Sequence, residues 1–262
     1  MLPSGSKRRR PTGGPPLRPS PIVRPTRSAA VPALASPAVE LVLVRHGQPE
    51  WVRDGRNVDE PVLTAAGHRQ AALAAQALAT ERFDHVLVSP LVRARQTAAP
   101  IEQALGREAR VVDWLAEIRN PLWDGTDHDT ERIFAEARLR PAEQHWDGLP
   151  GGESFRDFHD RIVGGLTGLL ADVGVRQATG ALPLWTVGEP DVRVLVVAHA
   201  GTNSVILTHL LGVQPVPWEW ERFVLHHASI SHAMSLAIGG GWSFSLLRLS
   251  DTRHLPAELI TR

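Results

Sequence analysis

Val39-Glu40-Leu41-Val42-Leu43-Val44-Arg45-His46-Gly47 is an apolar, β-branched run that ends on two basic residues and a glycine. A run of this length and character reads as a strand buried inside a parallel sheet. Outward from it, residues 64–80 read as a helix, with Thr64 as a plausible N-cap and alanine dominating. His85-Val86-Leu87-Val88 is a second buried strand, 93–105 a helix stopped by Gly106, and Arg110-Val111-Val112 a third strand. Residues 117–152 are rich in Pro, Gly, Asp and Trp, with one short helix near 129–139. A helix over 154–173 starts on Ser154, a strand covers 193–198 and a helix 202–211. Strands at 230–238 and 242–249 flank Gly239-Gly240-Gly241. Strand and helix alternate, which predicts the α/β class: a three-layer α/β/α sandwich with a mostly parallel central sheet. Residues 174–192 read as a long surface loop.

The chain has 262 residues, room for one sizeable domain, and 43% of them are apolar. Formal net charge is zero, but residues 1–39 hold seven Lys or Arg and no acid, leaving 21 basic and 28 acidic residues, a net of −7, in the remainder. An acidic body argues against nucleic acid as a partner. Residues 1–38 also hold nine of the 21 prolines and are expected to be a disordered Pro/Arg-rich tail, with the domain at 39–262. A solvated tail is the preferred reading over a basic arm or a transit peptide. Cysteine is absent, which removes disulfides, thiolate catalysis and Cys-ligated metal and is compatible with a cytoplasmic location. No run of 18 apolar residues is present, so no transmembrane segment is expected.

Open α/β sheets bind ligands at the carboxyl ends of their strands. Three segments put reactive residues there: Arg45-His46-Gly47-Gln48, Ser89-Pro90-Leu91-Val92-Arg93, and His199-Ala200-Gly201-Thr202-Asn203. Arginine forks match phosphate oxygens and stay charged, a neutral imidazole can attack phosphorus in line, and glycine permits close backbone approach. A carboxylic acid is needed to protonate a leaving alkoxide; Glu117 and Asp113, after the third strand, are in range, and Asp124 is nearby.

These residues resemble the histidine phosphatase superfamily, the phosphoglycerate-mutase-like proteins. Arg45-His46-Gly47 is similar to its R-H-G motif, and residues 89–97 to its S-P-x-x-R-A-x-Q-T element. Leu63-Thr64-Ala65-Ala66-Gly67-His68-Arg69-Gln70-Ala71 resembles L-T-x-x-G-x-x-Q-A, Gly151-Gly152-Glu153-Ser154 resembles G-G-E-S, and Ala198-His199-Ala200-Gly201 resembles the second-histidine loop. Trp114-Leu115-Ala116-Glu117-Ile118 fits the L-x-E element. The resemblance implies His46 as nucleophile, Arg45, Arg93, His199 and Gly47 as phosphoryl-binding residues, and Glu117 as proton donor and later base. It implies no metal and no cofactor. The expected activity is metal-independent hydrolysis of a small phosphomonoester through phosphohistidine. The alternatives are a phosphoglycerate-mutase-type phosphotransferase and a catalytically silent phosphate-binding domain.

The chain departs from the pattern after the first motif. Many members have Ser or Thr three residues beyond the histidine and Asn six beyond it; here Pro49 and Val52 stand there. Asn57 and Thr202 are the candidates to replace the lost hydrogen bond. The absence of tyrosine and of a paired-arginine element disfavours the mutase. Arg95 is expected to face solvent, and His68, His85, His128, His145 and His159 to be surface or packing residues. Trp218-Glu219-Trp220 reads as core, with a substrate rim as the alternative. His226-His227 are not taken as metal ligands, because neighbours on a strand point to opposite faces. The expected partner is a small phosphorylated substrate, and a homodimer is left open.

Overall fold

The structure, a computed structural model, describes residues 39–121, 127–180, 182–188 and 191–262. The expected tail at 1–38, Asp124 and the side chain of His128 lie outside the described residues. In chain order the elements are β1 (Val39–Arg45), β2 (Val52–Arg53), β3 (Arg56–Asn57), α1 (Ala65–Leu78), β4 (His85–Val88), α2 (Val92–Leu105) and β5 (Arg110–Val111). Then come α3 (Asp127–Arg138), α4 (Phe155–Asp172), β6 (Val175–Gln177), β7 (Trp185–Val187), β8 (Val192–Ala198), α5 (Ala200–Leu210), α6 (Glu219–Arg222), β9 (Ile230–Ile238) and β10 (Gly241–Asp251).

Eight strands form one sheet in the order β5-β4-β8-β1-β9-β10-β7-β6, and β2 and β3 form a separate small hairpin. The expectation of a mostly parallel sheet needs correcting. The half β5-β4-β8-β1 is parallel, but β9, β10, β7 and β6 run antiparallel to their neighbours. The physical reason is connection length. β9 and β10 are joined by a tight glycine turn, and β6 and β7 by a short segment, and such links permit only antiparallel pairing. Residues 174–192, expected as a loop, supply β6 and β7.

Alternation along the central strands builds the three layers. Leu41, Leu43, Leu87, Val194 and Val196 point to one face and pack with Ile162 and Leu166 of α4 and Ile206 of α5. Val42, Val44, Val88, Leu195 and Val197 point to the other and pack with Ala75 and Leu78 of α1 and Ala94, Ala98 and Ile101 of α2. Each such aliphatic side chain contributes about 2 kcal/mol relative to leaving it exposed. Helix ends follow local chemistry: the Thr64 hydroxyl accepts from the Gly67 amide, the Ser154 hydroxyl from the Asp157 amide, and α2 stops at Gly106 with φ 61°. Among the described residues no helix is long and apolar enough to cross a membrane.

Candidate active site

Strands β4, β8 and β1 are parallel neighbours, so their carboxyl ends share one edge. Arg45 lies opposite Ala198, and Val88 opposite Val197. The next residues along, His46, Ser89 and His199, therefore leave the sheet side by side. The His46 and His199 rings lie 5.1 Å apart between centroids. Both are buried, at 3% and 0% exposure.

Local hydrogen bonds fix the imidazoles. His46 Nδ1 lies 2.8 Å from the Gly47 carbonyl, which only accepts, so Nδ1 carries the proton and Nε2 keeps its lone pair. The Leu91 amide donates to Ser89 Oγ, and the Ser89 hydroxyl shares a hydrogen bond with His199 Nε2 at 2.7 Å. The other ring nitrogen of His199, Nδ1, is buried and has no hydrogen-bond partner among the described residues. Burial is the main reason both histidines are held well below their ordinary pKa, with the neighbouring arginines adding to it. For His46 the His199 ring also contributes. His46 is thus neutral, and its Nε2 makes no hydrogen bond among the described residues.

Two arginines, Arg93 buried and Arg45 half-buried, complete the cluster. Arg93, in the first turn of α2, is 4% exposed. It forms no ion pair among the described residues, its Nε has no hydrogen-bond partner, and its guanidinium lies 5.0 Å from the Trp51 ring centre. Arg45 donates to the Leu225 carbonyl (2.5 Å) and to His227 Nε2 (3.0 Å), both neutral, and its Nε is likewise unpartnered. Burial lowers both guanidinium pKa values, that of Arg45 to about 10, while Glu117 opposes the shift in each. Buried cations without carboxylate partners are costly unless an anion joins them.

Glu117 follows a short helical turn after β5. Its carboxylate accepts from the amides of Gly201 (2.9 Å), Thr202 (3.2 Å) and Ile118 (3.2 Å), the first two at the N-terminus of α5. A Cβ on residue 201 would lie 2.5 Å from Glu117 Oε1, so only glycine allows this approach. Arg161 of α4 pairs with both Glu153 oxygens at 2.9 Å and donates to the Trp114 and Ala116 carbonyls. The Gly-Gly-Glu-Ser element thereby braces the turn that carries Glu117. Arg93 and Glu117 lie on the wall of a cavity of about 840 Å³, together with Trp51, Asn57, Asp59 and Asp113.

The other motif residues hold the loop. Thr97 Oγ1 accepts the Gly47 amide, Gln70 Oε1 the Gln48 amide and Gln96 Oε1 the Leu63 amide. Gly47 and Gly67 pass so closely that a Cβ on either would lie within 2.5 Å of backbone oxygen. Two expected ligands therefore have other partners. The Gly47 amide is used by Thr97, and the Thr202 hydroxyl faces the Leu115 and Ala116 carbonyls at 3.3 and 3.2 Å. Asn57 does line the cavity, and Arg95 is exposed as expected. Trp218 packs with Phe155 and Trp220 in an aromatic cluster, the core reading. Sequence reasoning missed Ser89, Thr97 and Arg161 as supports, and His227, which sits against both Arg45 and His46.

Three buried histidines with lowered pKa values predict how stability depends on pH. Unfolding restores an ordinary pKa near 6.5, so below that pH the unfolded chain binds protons that the folded chain refuses. Stability is then lost as pH falls from about 6.5, by about 1.4 kcal/mol per pH unit for each histidine. Urea unfolding midpoints at pH 7.5 and 5.0 check this; equal midpoints would contradict it.

Comparison with known proteins places the chain in a family. The family model of the histidine phosphatase superfamily (branch 1) matches residues 41–248. The chain is 35% identical to phosphoserine phosphatase 1 of Hydrogenobacter thermophilus, over 67% of this chain and 77% of that protein. It is 28% identical to a protein named "Probable phosphoglycerate mutase" of Serratia proteamaculans, over 85% and 97% of the two chains. Among solved structures, mycobacterial glucosyl-3-phosphoglycerate phosphatase superposes with a TM-score of 0.62 at 26% identity, covering 81% of this chain and 99% of that one. With the family model matching residues 41–248, from β1 into β10, the chain belongs to the histidine phosphatase superfamily.

Proposed function

We propose that the protein is a metal-independent phosphomonoesterase that hydrolyses a small organic phosphate through a phosphohistidine on His46. The observation that carries this reading is a pair of arginines, half-buried Arg45 and buried Arg93, with no carboxylate ion pair among the described residues, flanking an imidazole whose Nε2 makes no hydrogen bond among them. A phosphoryl dianion supplies the missing charge. Arg45, Arg93 and His199 hold the non-bridging oxygens. His46 Nε2 attacks phosphorus in line, the bond to the alkoxide breaks, and Glu117 protonates the leaving oxygen. Glu117 then takes a proton from water, the hydroxide attacks phosphorus, and the bond to His46 breaks to release inorganic phosphate.

The cavity beyond Arg93 receives the organic part. Its wall carries Trp51, Leu91 and Pro121 beside Asp59, Glu60 and Asp113. Arg119 and Arg161 share this wall with the acids, which suits a polar organic group, and the absence of tyrosine and of a paired-arginine element favours the phosphatase over the mutase. The relatives named as phosphatases support the same reading.

A substrate panel tests it: O-phosphoserine, sugar phosphates and 3-phosphoglycerate, each with and without EDTA. Inorganic phosphate is expected from at least one of them at a rate that EDTA leaves unchanged. Isomerisation of 3-phosphoglycerate without phosphate release, or full inactivation by EDTA reversed by a divalent ion, would contradict the proposal.

A further inference from the structure

We infer that His227 is a positioning residue for Arg45, and that Thr261 sets the orientation in which it works. This rests on the reading of Arg45 as a phosphoryl ligand and goes beyond it. A guanidinium carries no acceptor, so Arg45 must donate to His227 Nε2 at 3.0 Å. The proton of the neutral ring then sits on Nδ1 and donates to Thr261 Oγ1 at 2.9 Å. Thr261 is held in turn: Gln70 Nε2 donates to its hydroxyl at 2.9 Å, and its carbonyl accepts the His227 amide at 3.0 Å. Gln70 closes the circuit, because its Oε1 accepts the Gln48 amide two residues beyond His46 and its Nε2 also bonds the Leu259 carbonyl at 2.7 Å. The segment around Thr261 is thereby stapled to the loop that carries Arg45 and His46.

The circuit has a purpose that ordinary packing does not explain. Arg45 is half-buried, no carboxylate among the described residues orients it, and its buried Nε has no hydrogen-bond partner there. A carboxylate in place of His227 would hold the guanidinium more strongly but would cancel the charge that a phosphoryl group needs. A neutral acceptor orients the fork and leaves the charge intact. His227 is 3% exposed, and burial, aided by Arg45 and His226, pushes its pKa to about 3, so the ring stays neutral and accepting over the working range.

Two substitutions separate the two ends of the ring. In His227→Gln the amide oxygen reaches the place of Nε2 and still accepts from Arg45. In His227→Asn the amide reaches only the place of Nδ1, so the Thr261 contact survives and Arg45 loses its acceptor. The full-length protein is compared with both variants and with Arg45→Ala, by calorimetric binding of inorganic phosphate and by kcat/KM for p-nitrophenyl phosphate. Phosphate binding and kcat/KM are expected to weaken about tenfold or more in the Asn variant and in Arg45→Ala, and to stay within about threefold of wild type in the Gln variant. Equal losses in Asn and Gln, or wild-type behaviour in Asn beside a weakened Arg45→Ala, overturn the inference. Unchanged phosphate binding in Arg45→Ala would instead sink the reading of Arg45 itself. If the Asn variant does not fold, Thr261→Val, which removes the acceptor of the Nδ1 proton and leaves the ring, carries the test: phosphate binding about threefold weaker or more supports the inference, and wild-type binding overturns it.

Discussion

Replacing His46 with alanine is expected to lower kcat/KM by a factor on the order of 10⁴ or more, because the covalent route depends on one lone pair. The substitution removes Nε2 and nothing else that binds phosphate. Arg45 and Arg93 keep their places, since neither bonds the His46 side chain. Fold and phosphate affinity are therefore expected to survive while turnover does not. The lost contact is the Nδ1 bond to the Gly47 carbonyl, and a buried ring held neutral at a cost leaves with it. Steady-state kinetics beside a thermal melt provide the check. More than about one part in a hundred of wild-type activity in a folded His46→Ala protein would mean that the nucleophile lies elsewhere.

Glu117→Gln is expected to be selective rather than uniformly damaging. The amide keeps the size of the carboxylate but has no acidic proton for a leaving alkoxide. Alkyl phosphates, whose leaving group is strongly basic, are expected to lose on the order of 10² to 10⁴ in rate. p-Nitrophenyl phosphate has a leaving group that departs with little protonation, so phosphoenzyme formation is expected to suffer less. Water activation is slowed for both. The pre-steady-state trace then shows about one product per site released quickly, followed by a stall. The Gly201 and Thr202 amides both point at this side chain, and an amide NH₂ cannot accept from either, so a stability loss of about 1 kcal/mol accompanies the kinetic effect. Equal losses in burst rate for alkyl and aryl substrates would rule out Glu117 as the acid and direct attention to Asp113, which lies on the same cavity wall.

The parallel half of the fold was legible because its signals are local. The run 39–45 and His85–Val88 are continuous apolar strands, and each is followed within a few residues by the side chain that it delivers. The antiparallel half was less so. β6 and β7 have three residues each, too few to show a period, and β7 joins β10 through a single pairing, Trp242 with Trp185. In the site, residues adjacent to the motifs were found and residues remote from them were missed. His227 works through Arg45, 182 positions away, and Thr261, 34 away, and no periodicity announces such a contact. The expectation that His226 and His227 diverge holds in outcome, His226 turning to Ser250, but both precede β9, so strand alternation is not the cause. Gly47 is a candidate from its place in the motif and Thr202 as a substitute for the missing asparagine, whereas each has a nearer hydrogen-bond partner that only the fold reveals.

The most direct test of the central claim is to trap the phosphoryl group on the protein. Wild type is mixed with ³²P-labelled substrate, quenched in acid within one turnover, and digested for peptide mapping. A label on the peptide containing His46, stable in alkali and lost in acid, together with no label on His46→Ala, is the predicted result. Equal labelling of the His46→Ala protein, or a label that resists acid, would contradict the account.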